Sequence, residues 1–245
     1  MNRQQKGFTI IEVVLFVAIS ALLTSALLVG VGSGVSRQQY KDAVQSFAAF
    51  LRDEYSKVIN VENDRKPGKC PLVVADGGTP TNRGQSDCVV VGRYIATLED
   101  SGGVDGRAYR SWPVYGYKSG DRWSYTLGSE SNDYNVGWGA KTKLSNQHHN
   151  AARIAILMYR HPETGQLAIR THAGRYNDTT IANFFENKDE NGNAYSANTH
   201  TQKREICVYD NGWMVGERLS VFLSPHAGSS SAISVNPASE ECRRG

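Results

Sequence analysis

Apolar residues are distributed very unevenly along this chain. From Phe8 to Val31 the sequence reads FTIIEVVLFVAISALLTSALLVGV, 24 residues with a single charge, Glu12. A helix rises about 1.5 Å per residue and needs roughly 20 apolar residues to cross a bilayer, so this run predicts one membrane-spanning helix. It is longer than the apolar core of an ordinary secretory signal, and no A-x-A cleavage site follows it. Beyond it the pattern changes to a stripe. Tyr40, Val44, Phe47, Leu51, Tyr55 and Val58 recur at helical spacing, while Arg37, Lys41, Gln45, Arg52 and Asp53 fall off that face. The spacing predicts one helix from Phe8 to about Asn60, roughly 80 Å long. It stops in Asn63–Gly68, which ends in Pro67-Gly68.

After residue 70 the period becomes that of short strands. Strands are expected at Cys88–Leu98, Ser111–Lys118, Ala152–Arg160, Gln166–His172, Arg204–Tyr209 and Trp213–Leu223, with a last short one at Ala232–Val235. Pro162-Glu163-Thr164-Gly165 and Asp210-Asn211-Gly212 are turn signals, the Asn-Gly pair a strong one for a hairpin. The expected class is α+β: a long N-terminal helix, half membrane and half amphipathic, whose stripe packs on an antiparallel β-sheet. Two polar stretches, Ala173–Gln202 and residues 119–150, read as surface insertions on that sheet.

Composition and charge add limits. The 245 residues suffice for one or two domains, and a net charge of +3 does not by itself imply nucleic acid. Arg3 and Lys6 precede the apolar run, which favours a cytoplasmic N-terminus and an exported remainder; Arg37 and Lys41 beyond it weaken the bias. Four cysteines in an exported region suggest disulfides. Three pairings are possible, of which Cys70–Cys88 and Cys207–Cys242 is favoured: the first closes a Gly/Pro/Thr loop and the second ties the tail to a strand. With no C-x-x-C, neither a redox motif nor a zinc ribbon is indicated. A carboxylate within an apolar helix is costly, and residues 8–36 hold no cation for Glu12, so its partner is expected from another chain.

Gly7-Phe8-Thr9-Ile10-Ile11-Glu12, with a short basic leader before it and an apolar helix after it, resembles the type IV prepilin signal. That family comprises type IV pilins and the pseudopilins of type II secretion and competence systems. The resemblance implies cleavage between Gly7 and Phe8 by a membrane prepilin peptidase, N-methylation of Phe8, and filament assembly guided by Glu12. Cleavage would leave 238 residues and lower the net charge to +1. It divides the chain into a leader (1–7), a transmembrane and assembly helix (8–35), its amphipathic continuation (36–66) and an exported β-rich head (67–245). The implied fold is pilin-like. The implied partners are other pilin subunits, the prepilin peptidase, an inner-membrane assembly platform and membrane lipid. The location would be the cytoplasmic membrane, single-pass with the N-terminus inside, and then an extracellular or periplasmic filament. The paired cysteines after the helix and the terminal hairpin with Trp213 are faintly similar to H-type minor pseudopilins. One departure is the lack of any proline before Pro67; Gly30, Gly32 and Gly34 punctuate the segment instead. They fit close helix packing or local loosening, and they fail the G-x-G-x-x-G dinucleotide pattern.

Other chemistry is sparse. His148, His149, His161, His172, His200 and His226 scatter over loops and strand ends without H-E-x-x-H, and there is no G-x-S-x-G or Walker A sequence. No catalytic residue, metal or cofactor is expected, and the chain reads as a non-enzyme. Asn187–Gly192 fits the start of a calcium loop, but the twelfth position is Asn198 where a Glu belongs. Eight aromatics crowd Tyr109–Trp138: Tyr109, Trp112, Tyr115, Tyr117, Trp123, Tyr125, Tyr134 and Trp138, with Arg107, Arg110, Lys118 and Arg122 nearby. Packing into the sheet is the plainer reading; stacking on surface glycan or DNA is the functional one. The leading expectation is a structural filament subunit, minor or at the tip because of the head's size. The alternative is an adhesin or DNA-binding subunit using 109–138, and the third a membrane-tethered enzyme.

Overall fold

The computed structural model describes residues 9–60, 88–99, 105–145, 153–172, 178–186, 188, 192, 203–210, 216–225 and 228–243. Helix α1 runs unbroken from Ile10 to Ile59, 50 residues, with Asn60 as its C-cap. Its length follows from two different solvents. Ile10–Leu27 is apolar on all sides and none of it is buried by the rest of the chain. Within this half, Thr24 donates to the Ser20 carbonyl and Ser25 to that of Leu22, so these hydroxyls are satisfied inside the helix. From Tyr40 onward the helix is amphipathic, and the predicted stripe is its buried face: Tyr40, Val44, Phe47, Leu51, Tyr55 and Val58 are all nearly inaccessible. Burying one such side chain is worth about 1.5–3 kcal/mol, so the stripe alone anchors this half of α1.

The stripe meets two sheets. The first has the order β3-β2-β1-β6-β7: β1 Cys88–Thr97, β2 Ala108–Ser119, β3 Arg122–Leu127, β6 Ala155–Arg160 and β7 Leu167–His172, with β4 (Asn132–Asn135) also on β2. The second has the order β10-β9-β8-β5: β5 Lys141–Leu144, β8 Arg204–Tyr209, β9 Leu219–Leu223 and β10 Ile233–Pro237. All the pairings in both are antiparallel. Ile95, Tyr109, Ile156 and Met158 from the first sheet join Ile206, Val208, Val221 and Ile233 from the second in one core around the α1 stripe. The α+β class is therefore as expected, a long helix followed by antiparallel sheets.

Three features differ from the sequence expectation. The single sheet is two. Of the stretch 119–150, the described residues 119–145 belong to the two sheets rather than to an insertion. Within them, β3 turns back on β2 through Gly120-Asp121, with Ser119 paired to Arg122 and Gly120 at φ 61, as a two-residue hairpin requires. β4, a 3-10 turn at Gly137–Gly139 and β5 follow. Pro113, which has no N–H to donate, falls where the outer neighbour of β2 changes from β4 to β3. Within Ala173–Gln202, α2 (Asp178–Phe185) packs Ile181, Phe184 and Phe185 against the face of the first sheet opposite α1. Phe185 stacks on Tyr125 at 4.0 Å and tilts against Tyr159 at 4.6 Å. The final hairpin strand begins at Leu219; Trp213 and the Asn211-Gly212 turn lie outside the described residues.

Candidate functional site

The N-terminus of α1 carries the residues singled out by the sequence. Gly7 and Phe8 lie outside the described residues. Thr9 is the N-cap, with extended backbone (φ −77°, ψ 149°), and its carbonyl accepts the first helical bond from Val13 N–H at 3.3 Å. Glu12 completes a capping box. Its Oε2 accepts from the Thr9 N–H at 3.0 Å and the Thr9 hydroxyl at 2.8 Å, while its own N–H donates to Thr9 Oγ1 at 3.3 Å. The carboxylate thus folds back on the positive end of the helix dipole, onto Thr9. In the single chain, Glu12 is satisfied by hydrogen bonds and by no counter-ion among the described residues. An added Cβ at Gly32 or Gly34 would meet nothing within 4 Å, and α1 continues straight through both, so no contact within the chain requires a glycine there.

The junction between the membrane half and the head is clamped. Tyr40 Oη accepts from Leu219 N–H at 2.8 Å and lies 2.9 Å from the Leu219 carbonyl and 3.1 Å from that of Val208, tying α1 to β8 and β9. Burial keeps this phenol protonated beyond its ordinary range, despite the Leu219 bond and nearby Arg218. Close by, Cys207 and Cys242 form a disulfide with Cα atoms 5.3 Å apart, joining the short C-terminal helix α3 (Glu240–Arg243) to β8. Arg218 donates to the Arg243 carbonyl at 3.1 Å and sits 5.5 Å over the Tyr209 ring. Cys70 lies outside the described residues, as does the side chain of Cys88.

A second polar centre joins α1 to the first sheet, and it is not among the candidate sites read from the sequence. Glu54 is fully buried on α1. It accepts from Arg93 Nε at 2.6 Å, Lys57 Nζ at 2.9 Å, Asn132 Nδ2 at 3.4 Å and the Ser111 hydroxyl. Burial pushes its carboxyl up, but the bonds from Ser111 and Lys57 and the charge of Arg93 outweigh it and hold the group below its ordinary range. Glu54 continues the Tyr40–Val58 face at helical spacing, so its burial is the one signal the sequence offers. Lys57 lies three residues on along α1, but Arg93, Ser111 and Asn132 come from β1, β2 and β4 and cannot be read from spacing.

The aromatic segment is mostly spent on packing. Tyr109 is fully buried, Tyr115 nearly so, and Trp112, Tyr117, Trp123, Tyr125 and Tyr134 are half-buried. Phe47 lies 5.0 Å from Tyr109, and Phe50 stacks on Tyr134 at 4.3 Å. Three of the four nearby cations face carboxylates, Arg107 to Asp105 at 2.9 Å, Arg110 to Asp133 at 2.5 Å and Lys118 to Glu163 at 3.9 Å, while Arg122 is exposed. Trp138 is the exception and is exposed. Among the described residues no three His, Cys, Asp or Glu side chains converge as metal ligands. Of the calcium-like loop only Lys188 and Gly192 are described, and Lys188 pairs with Glu186 at 2.6 Å; the other positions lie outside the described residues. His161 is tied into its turn, Nε2 on the Phe185 carbonyl at 3.1 Å and Nδ1 accepting from Thr164 N–H at 3.2 Å. His172 ends β7, and the remaining four histidines lie outside the described residues.

Comparison with known proteins agrees with the site. Residues 2–28 match the family model described as the prokaryotic N-terminal methylation motif, so the chain carries a type IV pilin-like prepilin signal. No curated protein and no solved structure matches the chain.

Proposed function

We propose that this chain is a structural subunit of a type IV pilus or a type II secretion-like pseudopilus. Prepilin peptidase cuts it between Gly7 and Phe8 and methylates the Phe8 amine. The apolar half of α1 holds the subunit in the cytoplasmic membrane, N-terminus inside, until an inner-membrane assembly platform transfers it into an extracellular or periplasmic filament. There the helix exchanges lipid for the helices of other pilin subunits. The observation that carries this reading is the methylation motif at residues 2–28 on a single helix whose first half is bare and whose second half is the core of the head. The capping box supports a role for Glu12. A freed Phe8 amine would lie one residue before Thr9, so the carboxylate stands where it can exchange its own cap for the amine of a neighbour. The head has no catalytic role and takes no cofactor in this reading. Its size and two-sheet build suit a minor or tip position better than a repeated shaft. The packing of segment 109–138 disfavours an adhesin or DNA-binding subunit whose aromatics serve as its stacking surface.

Mass spectrometry of the N-terminal peptide from native membranes tests the proposal. The expected peptide begins at Phe8 with one added methyl, and the chain appears in sheared filaments. A chain beginning at Met1, absent from filaments, would make the helix a plain anchor and end this reading.

A further inference from the structure

Trp138 stands apart from the other large apolar side chains. It is 62% exposed, whereas every other exposed large apolar residue among those described lies on α1 between Ile10 and Val35. Its backbone is unusual too. At φ 57°, ψ 24° it is the one described non-glycine residue in the left-handed region, which a bulky L residue rarely enters. Among the described residues, no burial of the ring compensates for that conformation. The turn is nevertheless firmly seated. Val136 and Ala140 are buried on either side, Val136 N–H donates to the Arg107 carbonyl at 2.7 Å, and Ala140 N–H donates to that of Gly137 at 3.1 Å. Gly137 lies against α1, where an added Cβ would be 3.9 Å from the Ala43 Cα. A seated turn that holds an indole in solvent at a conformational cost presents that indole to something else.

We infer that Trp138 is the anchor by which the head docks onto a neighbouring subunit of the same filament, a chain with the same kind of N-terminal helix. The inference rests on the filament reading above. Because α1 is continuous, a neighbour packed along its bare apolar half is carried along the same rod to the level of Ala43. That level is about 18 Å beyond Val31, where the apolar run ends, farther than an indole extends from its own backbone. Several polar groups on this part of α1 and on β2 and β4 are paired within the chain: Ser46 with Tyr134 at 2.6 Å, Gln38 with Asp42 at 2.8 Å, and Arg110 with Asp133 through two bonds. A sugar or nucleotide site would keep converging donors and acceptors for its ligand. An exposed tryptophan on a firmly seated turn is instead the residue type most enriched at protein–protein hot spots.

The test uses the full-length chain in its own cells. A photo-crosslinking amino acid placed at position 138 is activated in intact filaments, and Trp138→Gly is compared with the unaltered chain. Glycine removes the ring and relieves the left-handed backbone, so the detergent-solubilised variant is expected to melt no lower than the unaltered chain. Its incorporation into filaments, at equal membrane level, is expected to fall tenfold or more. The crosslinked partner is expected to be another subunit bearing a processed N-terminal helix. Crosslinks confined to glycan, nucleic acid or lipid would overturn the inference, as would normal incorporation of Trp138→Gly. So would a variant that melts lower and is depleted from membranes, since the ring would then be structural. Filaments that contain the chain but show no protein crosslink from 138 sink the anchor alone; absence of the unaltered chain from filaments sinks the filament reading as well.

Discussion

Glu54 is the residue on which the seat of α1 depends most sharply. A buried carboxylate is tolerated only when paired and hydrogen-bonded, and removing one partner of a buried ion pair costs about 3–5 kcal/mol. Arg93→Ala is therefore expected to destabilise the chain by that order, read by denaturant unfolding in detergent. The pH dependence has a definite sign. The folded Glu54 carboxyl titrates below its ordinary value of 4.5, so the unfolded chain takes up the proton first as pH falls. The stabilisation is complete above about pH 4.5 and is lost as pH falls through the lower folded value. Unfolding free energy measured from pH 6 down to pH 3 should show that decline, and Glu54→Gln should remove its share of the slope. Glu12 differs in kind, because its bonds are local and its Thr9 partner is three residues away. Glu12 is expected from the sequence to find its partner on another chain, and the structure instead gives it a local cap on Thr9; the sequence pattern likewise does not place Arg93 beside Glu54.

At the scale of elements, the α1 stripe and helix α2 show opposite degrees of legibility. The stripe spans six positions at a sustained helical period, long enough for periodicity to declare both the element and its buried face. Phe47 lies at its centre, fully buried and 5.0 Å from Tyr109, so Phe47→Ala is expected to cost about 3–5 kcal/mol, measurable as a lowered midpoint in thermal melting. Helix α2 has only eight residues. Its apolar Ile181, Phe184 and Phe185 fit the i, i+3, i+4 rule, but one turn of pattern inside a polar stretch is too little to separate a helix from a loop. Phe185→Ala is expected to detach α2 from the first sheet, seen as faster amide exchange at Tyr159 and Tyr125 while α1 remains protected. The β2–β3 hairpin falls between these cases. The alternation of Trp123, Tyr125 and Leu127 after Gly120-Asp121 was available as a signal, yet weak strand propensity in the polar residues around it hid the pair.

For the whole molecule, the C-terminal tail, the second sheet and α1 converge where the helix leaves the membrane half. The Cys207–Cys242 bond closes a loop 35 residues in span, and a closure of that size is worth about 2–4 kcal/mol. Replacing both cysteines with serine should lower the melting temperature and leave the proposed processing at Gly7–Phe8 unchanged, because the disulfide lies in the head and the capped start of α1 at Thr9 stands at the other end of that helix. Mass spectrometry of the N-terminus of that variant separates the two effects. Loss of processing would mean that the head communicates with the cleavage site.

What the sequence determined by itself is what depends on near neighbours in the chain. The membrane helix, the amphipathic stripe and most strands all follow from local hydrophobicity and period, which no distant contact needs to complete. What only the tertiary structure decided depends on which distant segment arrives: two sheets instead of one, the partners of Glu54, the apolar face that α2 covers, and the exposure of Trp138. The last is the clearest case. Composition places Trp138 in an aromatic cluster bound for the core. A left-handed turn seated against Ala43 turns it outward, and that backbone exists only because β4, β5 and α1 meet around it.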